Sequence, residues 1–264
     1  DDSMKKPMTW LIAASMSMSL GSSIALADSH EAEMELPRIV PVETWTGNFL
    51  DGKSMGDLKA FTKDFNAWLD DIEYKDYFAA LVVPHYFGEK QFDVGWLGAW
   101  RDGNAMGSGT DIWQADGGEL AAKFANIVDC GSHTQFGSMR MRAPGDGPDD
   151  GQFVLEFTNC SVKEGKKFEE VMGAMNTWSE YQDANGFEAS AWMMFPIHGE
   201  SDDDYDFKVV NGYDDHSARG ADFELMGNGG HWRKNSAIFD GLLDCDISRI
   251  YDAYTIRNMS GDDS

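Results

Sequence analysis

Short signatures recur along this chain in the same order. Asn66-Ala67-Trp68 returns as Asn176-Thr177-Trp178, Pro84-His85 as Pro196-Ile197-His198, Gly117-Gly118 as Gly229-Gly230, and Asp129-Cys130 as Asp244-Cys245, always 110 to 115 residues apart. Self-similarity at a fixed period implies one structural unit used twice. The 264 residues therefore divide into two units of about 105 residues each, an ordinary domain size.

Each unit reads the same way. Residues 40–49 and 153–160 are β-branched and aromatic at strand length, with Glu43 and Glu156 in matching places. Leu58, Phe61, Phe65 and Trp68 then form one apolar helix stripe, and Phe168, Val171, Met175 and Trp178 repeat it. Ser54 and Asp57 have the spacing of a capping box. Two apolar runs follow, 77–84 with 92–100 and 187–195 with 205–213, a hairpin in each unit, the second turning through the acidic run 200–204. A Gly-rich loop leads to a second helix carrying Leu120, Phe124, Ile127 and Val128, or Asn235, Phe239, Leu242 and Leu243. Residues 136–141 and 250–256 are last strands. The order is βαββαβ, an α+β ferredoxin-like arrangement. It gives repeat 1 as 39–143, a Pro/Gly/Asp-rich linker at 144–151, repeat 2 as 152–259 and a tail at 260–264.

The start of the chain reads as a targeting segment. Met4-Lys5-Lys6 is basic, 10–24 is apolar and small, and Ala25-Leu26-Ala27 is an A-x-A cleavage signal. Residues 1–27 are thus upstream residues and signal peptide, cleavage falls at Ala27/Asp28, and 28–38 is the mature N-terminal segment. The expectation is a periplasmic or secreted, soluble monomer without a membrane anchor. The 9 Trp, 16 Phe and 8 Tyr supply a globular core, and the formal net charge of −25 argues against nucleic acid or anionic membrane as partners.

On this element order and duplication, residues 39–258 resemble the dimeric α+β barrel superfamily in fused, tandem form. The resemblance implies two ferredoxin-like sheets packed face to face as a pseudo-symmetric barrel. The superfamily includes cofactor-independent monooxygenases, haem-degrading enzymes and chlorite dismutases. No haem-ligating His and no monooxygenase Asn/Trp/Tyr set maps onto particular positions. No cofactor is expected from the residues themselves, while the resemblance leaves haem and flavin open.

First and last strands of such a sheet are antiparallel neighbours, so Cys160 and Cys245 are the expected disulfide in an oxidising compartment, and Cys130 is left without a local partner. His85 and His198 both close a second strand, where a ligand could be met; neither has a Cys, His or Asp at ligand spacing, so no metal is expected. Asp202-Asp203-Asp204 with Asp206 lacks the ligand order of a calcium loop. Glu43 with Arg142, and Glu156 with Arg257, are expected as cross-strand ion pairs within each repeat. Trp68 and Trp178 read as packing. Trp96, Trp100 and Tyr213, with His85 and His198, are candidate walls of a pocket between the sheets, and Glu43, Glu156, Arg142 and Arg257 are candidates for the same pocket, where a carboxylate and a guanidinium could orient a polar substrate or act as a base. The leading reading is non-catalytic binding of a small apolar or aromatic ligand, or a scaffold; the alternative is an oxygenase, cofactor-independent or haem-dependent.

Overall fold

The computed structural model describes residues 37–144, 151–199 and 205–259. The expected targeting segment, most of the expected linker, the acidic run 200–204 and the tail lie outside the described residues. The first half comprises strand β1 (Ile39–Phe49), helix α1 (Met55–Asp71), β2 (Tyr77–Tyr86), β3 (Val94–Trp100), α2 (Gly103–Asp116), α3 (Gly118–Ala125) and β4 (Val128–Arg142). The second comprises β5 (Gln152–Val162), α4 (Phe168–Ala184), β6 (Ser190–His198), β7 (Phe207–Tyr213), α5 (His216–Gly227), α6 (Trp232–Phe239), β8 (Leu243–Cys245) and β9 (Arg249–Arg257).

Eight strands close into one antiparallel barrel, in the cyclic order β1-β3-β2-β9-β5-β7-β6-β4, and β8 pairs with the end of β5 beyond β9. The two halves do not stack as separate sheets. They join edge to edge, β2 on β9 and β4 on β6, because an open edge leaves a row of unpaired N–H and C=O groups that pairing satisfies.

Closure decides where side chains go. Successive strand residues alternate between the two faces, so one set points into the barrel and the other toward the helices. Val42, Val82, Phe136, Leu155 and Val210 meet in the interior with Leu97, Phe157 and Tyr251, and Phe136 is fully buried. The space expected to hold a pocket between the sheets is therefore apolar core. Trp96 and Trp100 face the other way and pack under α1 with Leu58, Phe61 and Phe65. Helix α4 does the same over Met139, Met193 and Phe207.

Two element assignments differ from the sequence reading. The Gly-rich stretch before the second helix of the first half is itself a helix, α2, and in the second half a further helix, α5, precedes the Gly-rich turn 228–230; α2 and α5 are started by the carboxylates of Asp102 and Asp215, which accept from the backbone N–H of Ala105 and Ala218. Glycine there permits close approach: a Cβ on Gly109 would lie 2.6 Å from the Tyr74 hydroxyl. Val128 and Leu243, assigned to helices, begin β4 and β8. Ser54 does stand at the start of α1, but its hydroxyl donates to the Asp57 carboxylate at 2.7 Å and makes no cap to the backbone.

The expected Glu–Arg pairs do not form. Each arginine instead reaches across a seam to the other half. Arg142 on β4 donates to Asp183 on α4 at 2.6 Å and to the carbonyls of Phe187 and Ala189. Arg257 on β9 donates to Asp70 on α1 at 2.9 Å and to the Tyr74 carbonyl at 2.8 Å. Both guanidinium side chains are nearly buried, 12% and 11% exposed, so the fork geometry is fixed by carbonyls that only Arg can serve together. Replacing either by Lys is expected to cost about 1–3 kcal/mol in urea unfolding.

Cys160 and Cys245 form a disulfide between directly opposed residues of β5 and β8. In the first half Cys130 stands opposite Gly47, so it has no equivalent partner. Burial, and the neighbouring Asp129 charge, push the Cys130 thiol up, away from the reactive thiolate. The disulfide spans 85 residues. The Cys160→Ser/Cys245→Ser double variant is expected to lose about 3–5 kcal/mol, with Cys130→Ser nearly neutral in the same assay.

Candidate functional site

Between the roof of α1, α2 and α3 and the outer face of β1, β2 and β3 lies a cavity of roughly 180 Å³, open to solvent on one side and lined mainly by aromatic side chains. The sequence builds it from alternation. Trp96 and Trp100 stand four residues apart on the same face of β3, and Glu43 and Trp45 occupy the matching face of β1, paired with β3 through Trp45↔Trp96. Trp68 from α1 meets Trp113 from α2 edge to face at 5.6 Å, and Phe65 meets Trp96 at 5.1 Å. Trp68, read as packing, is half-buried and lines this cavity, because Leu69 takes over the buried stripe.

At one end of the cavity the polar groups form a single chain. Trp96 Nε1 donates to Tyr77 Oη at 2.8 Å, and Tyr77 Oη donates to Glu43 Oε1 at 2.7 Å. Glu43 Oε2 accepts from Trp45 Nε1 at 3.0 Å and from His133 Nε2 at 2.8 Å. Gly98 is required, since a Cβ there would overlap the Tyr77 hydroxyl. His133 lies flat on Trp45, ring centroids 3.6 Å apart, and is half exposed while Glu43 is only 15% exposed. A His whose Nε2 proton is held by a carboxylate presents Nδ1 as its accepting nitrogen, so the arrangement offers an oriented base at the cavity edge. His133 is absent from the sequence-level candidates. Its signal was weak: it lies on β4 upstream of the apolar run by which that strand was recognised, and only the register Trp45↔His133 brings it to Glu43.

The second half carries a corresponding cleft of roughly 410 Å³ between α4, α5 and the sheet. Glu156 and Tyr213 line it, with Tyr213 donating to Glu156 at 3.3 Å. A Thr158–Ser248 hydrogen bond of 2.8 Å takes the place of the Trp45–His133 stack. Trp178 lines this cleft beside Gln182 and Asp222. The two helix roofs thus cover an aromatic cavity in one half and a polar cleft in the other.

The remaining sequence-level candidates scatter. Arg142 and Arg257 sit at the seams described above. His198 Nδ1 bonds Gln135 Oε1 at 2.6 Å, on the rim of the barrel. His85 lies at the opposite seam, and the fold brings to it two groups far away in sequence, Asp252 and His216.

Haem, which the superfamily resemblance leaves open, does not fit the aromatic cavity. Its volume falls below the roughly 300–1,000 Å³ of sites for drug-sized ligands, and the one histidine lining it commits Nε2 to Glu43. The second cleft is larger but has no histidine or cysteine in its lining.

No family model and no curated protein matches the chain. Solved structures do match in fold. A protein from Fusobacterium nucleatum subsp. nucleatum provisionally named a monooxygenase superposes with a TM-score of 0.55 at 10% identity, over 86% of this chain and 97% of the other. A dye-decolorizing peroxidase from Bacteroides thetaiotaomicron gives 0.52 at 8% identity, over 84% and 95%. A Lactobacillus acidophilus protein, also provisionally named a monooxygenase, gives 0.51 at 13% identity, over 86% and 98%. The chain has the dimeric α+β barrel fold; at these identities the likeness is one of fold alone.

Burial, reinforced by the Glu43 charge, pushes the Tyr77 phenol far above the usual tyrosine range; burial and Glu156 do the same to Tyr213. Burial raises Tyr74 and Tyr251 as well. A raised folded-state pKa means the unfolded chain gives up its proton first. The stability these phenols contribute is complete below about pH 10, the unfolded tyrosine value, and falls as pH rises past it. Stability measured by urea is therefore expected to decline above about pH 10, with phenolate absorbance from these residues appearing only on unfolding. Tyr77→Phe is expected to cost about 1–3 kcal/mol at neutral pH and to make the alkaline decline shallower.

Proposed function

We propose that this is an exported, monomeric binding protein, matured at Ala27/Asp28 and built from two fused ferredoxin-like repeats, that holds a small aromatic ligand in the cavity under α1, α2 and α3. The duplication is supported by the strand order, β4-β1-β3-β2 in the first half and β9-β5-β7-β6 in the second. Export is supported by the leader sequence, and the Cys160–Cys245 disulfide suits an oxidising compartment.

The observation that carries the binding reading is the cavity itself. Its walls are aromatic, and its polar groups converge on one carboxylate at one end. That is the composition of a small-molecule site, an apolar body with a few placed polar groups. An apolar cavity of about 150 Å³ is enough to take up benzene, so roughly 180 Å³ suits one ring or a compact fused pair. A ligand bearing a hydroxyl or N–H at one end would meet the exposed edge of His133.

The same pair, His133 held by Glu43, supports a second reading, a cofactor-independent oxygenase. A base at the edge of an aromatic cavity could take the proton of a phenolic substrate, leaving the electron-rich phenolate that oxygen attacks.

Titration of the purified native protein with indole, phenol and naphthalene, followed by tryptophan fluorescence and calorimetry, is expected to show one saturable site. Ile72→Trp, which fills the cavity from the end of α1, is expected to abolish binding while retaining the melting temperature within a few degrees. Binding that survives Ile72→Trp would place the ligand elsewhere. Oxygen uptake with a phenolic ligand, lost in His133→Ala, would favour the oxygenase, and a haem or flavin band in the native protein's absorbance would displace both readings.

A further inference from the structure

The barrel seam between β2 and β9 holds a group of side chains that the aromatic cavity does not use. The ladder slips by one residue between Pro84 and Tyr86, so His85 is the extra residue of a β-bulge, a device that re-aims a side chain. It turns toward Asp252 on β9, and its Nδ1 lies 3.0 Å from Asp252 Oδ2. His216, the first residue of α5, approaches from the other side with Nε2 2.8 Å from Asp252 Oδ1. The imidazole centroids are 4.5 Å apart. One ligand atom from each residue lies within 4.8 Å of the other two.

We propose that His85, Asp252 and His216 form a binding site for one divalent transition-metal ion of the zinc class. Two imidazole nitrogens and one carboxylate oxygen are a borderline-soft donor set suited to zinc and its neighbours rather than to calcium or magnesium. Donors about 2.0–2.1 Å from a tetrahedral zinc stand about 3.3 Å from one another, so a spread of up to 4.8 Å has to close by up to about 1.5 Å, within reach of side-chain rotation. All three side chains are about one-third to two-fifths exposed, which allows that shift and gives the ion an entry path. To ligate, each imidazole moves its hydrogen-bonded proton to the other ring nitrogen and offers the freed lone pair. The fourth position faces solvent and is open to water or an exogenous ligand, the layout of a three-ligand zinc site.

The other seam of the barrel is an internal comparison. Register places Pro196 opposite Phe136 and Phe195 opposite Gly137, with the same one-residue slip, so Ile197 is the bulged residue there. Asp102 starts α2 as Asp215 starts α5, which puts Gly103 where His216 stands. The three corresponding residues are therefore Ile197, Gly137 and Gly103, none able to bind a metal through its side chain. The bulge is common to both seams, and the donors are confined to one.

The test is titration of the full-length protein, freed of metal by chelator, with Zn²⁺ by calorimetry and with Co²⁺ by visible absorption. His30→Ala is carried throughout, because a histidine third from the expected mature terminus can bind metal with the terminal amine. One equivalent is expected, with cobalt bands of low coordination number. His85→Ala, His216→Ala and Asp252→Asn are each expected to weaken binding more than about 100-fold, beyond the loss on removing an outer partner. His198→Ala and Ile197→Ala are expected to bind as the parent does. Melting in chelator checks that each variant is folded; His85→Gln and His216→Gln replace any alanine variant that is not. Failure of the folded parent to bind one equivalent, or binding that folded variants at positions 85 and 216 retain, overturns the proposal, leaving a carboxylate that merely bridges two histidines.

Discussion

Pairing across the two seams is the constraint on which everything else in this structure rests. Either half alone would present two open edges and one uncovered apolar face. Joining β2 to β9 and β4 to β6 removes all four edges at once and turns both faces inward. Arg142 and Arg257 reinforce the same seams from outside, each tying its last strand to the end of the other half's first helix. The halves hold each other through charge-assisted bonds to a carboxylate and to backbone carbonyls at each seam.

Much of this was legible because repetition and periodicity are local signals. The stripe Leu58, Phe61, Phe65 returns as Phe168, Val171, Met175, and α1 and α4 bury those faces. The Cys160–Cys245 bridge followed from strand order alone. What failed were inferences needing side-chain direction across a closed sheet. Glu43 and Arg142 are on strands that do pair, yet Glu43 faces Gln135, and Arg142 lies where β4 meets β6. Glycine misled for a different reason. The stretch that forms α2 reads as a Gly-rich loop in the sequence, whereas Gly109 makes room for Tyr74, a tertiary cause with no local signature. His133 and Asp252 were invisible because each acquires its role from a residue some 90 or more positions away.

Sequence similarity between the halves also concealed a register difference. Pro84-His85 and Pro196-Ile197-His198 look like one motif with a one-residue insertion, which makes the two histidines equivalents. Strand pairing sets Tyr86 opposite Ile250 and His198 opposite Gln135, so the bulged residues are His85 and Ile197. The two histidines face different surroundings, and only the first lies beside a carboxylate and another imidazole.

The size of the barrel explains why open space lies outside it. An eight-stranded barrel has an interior just wide enough for side chains to fill, unless small residues keep it open. Here Phe136, Phe157, Tyr251 and Trp192 point inward, so the interior is spent on stability. The outer face under the helices is then where space remains, because a helix roof touches a twisted sheet along a line and leaves gaps beside it. Bulky residues that fail to meet across that gap leave a cavity. In the first half, Trp68 and Trp113 bridge from the helices toward Trp96 and Trp100 on the strands, and the space between them is bounded by the carboxylate of Glu43. The second half lines the corresponding gap with Tyr213, Asp222 and Arg219. One scaffold thus carries an aromatic cavity under one roof and a polar cleft under the other, with the barrel between them as common support.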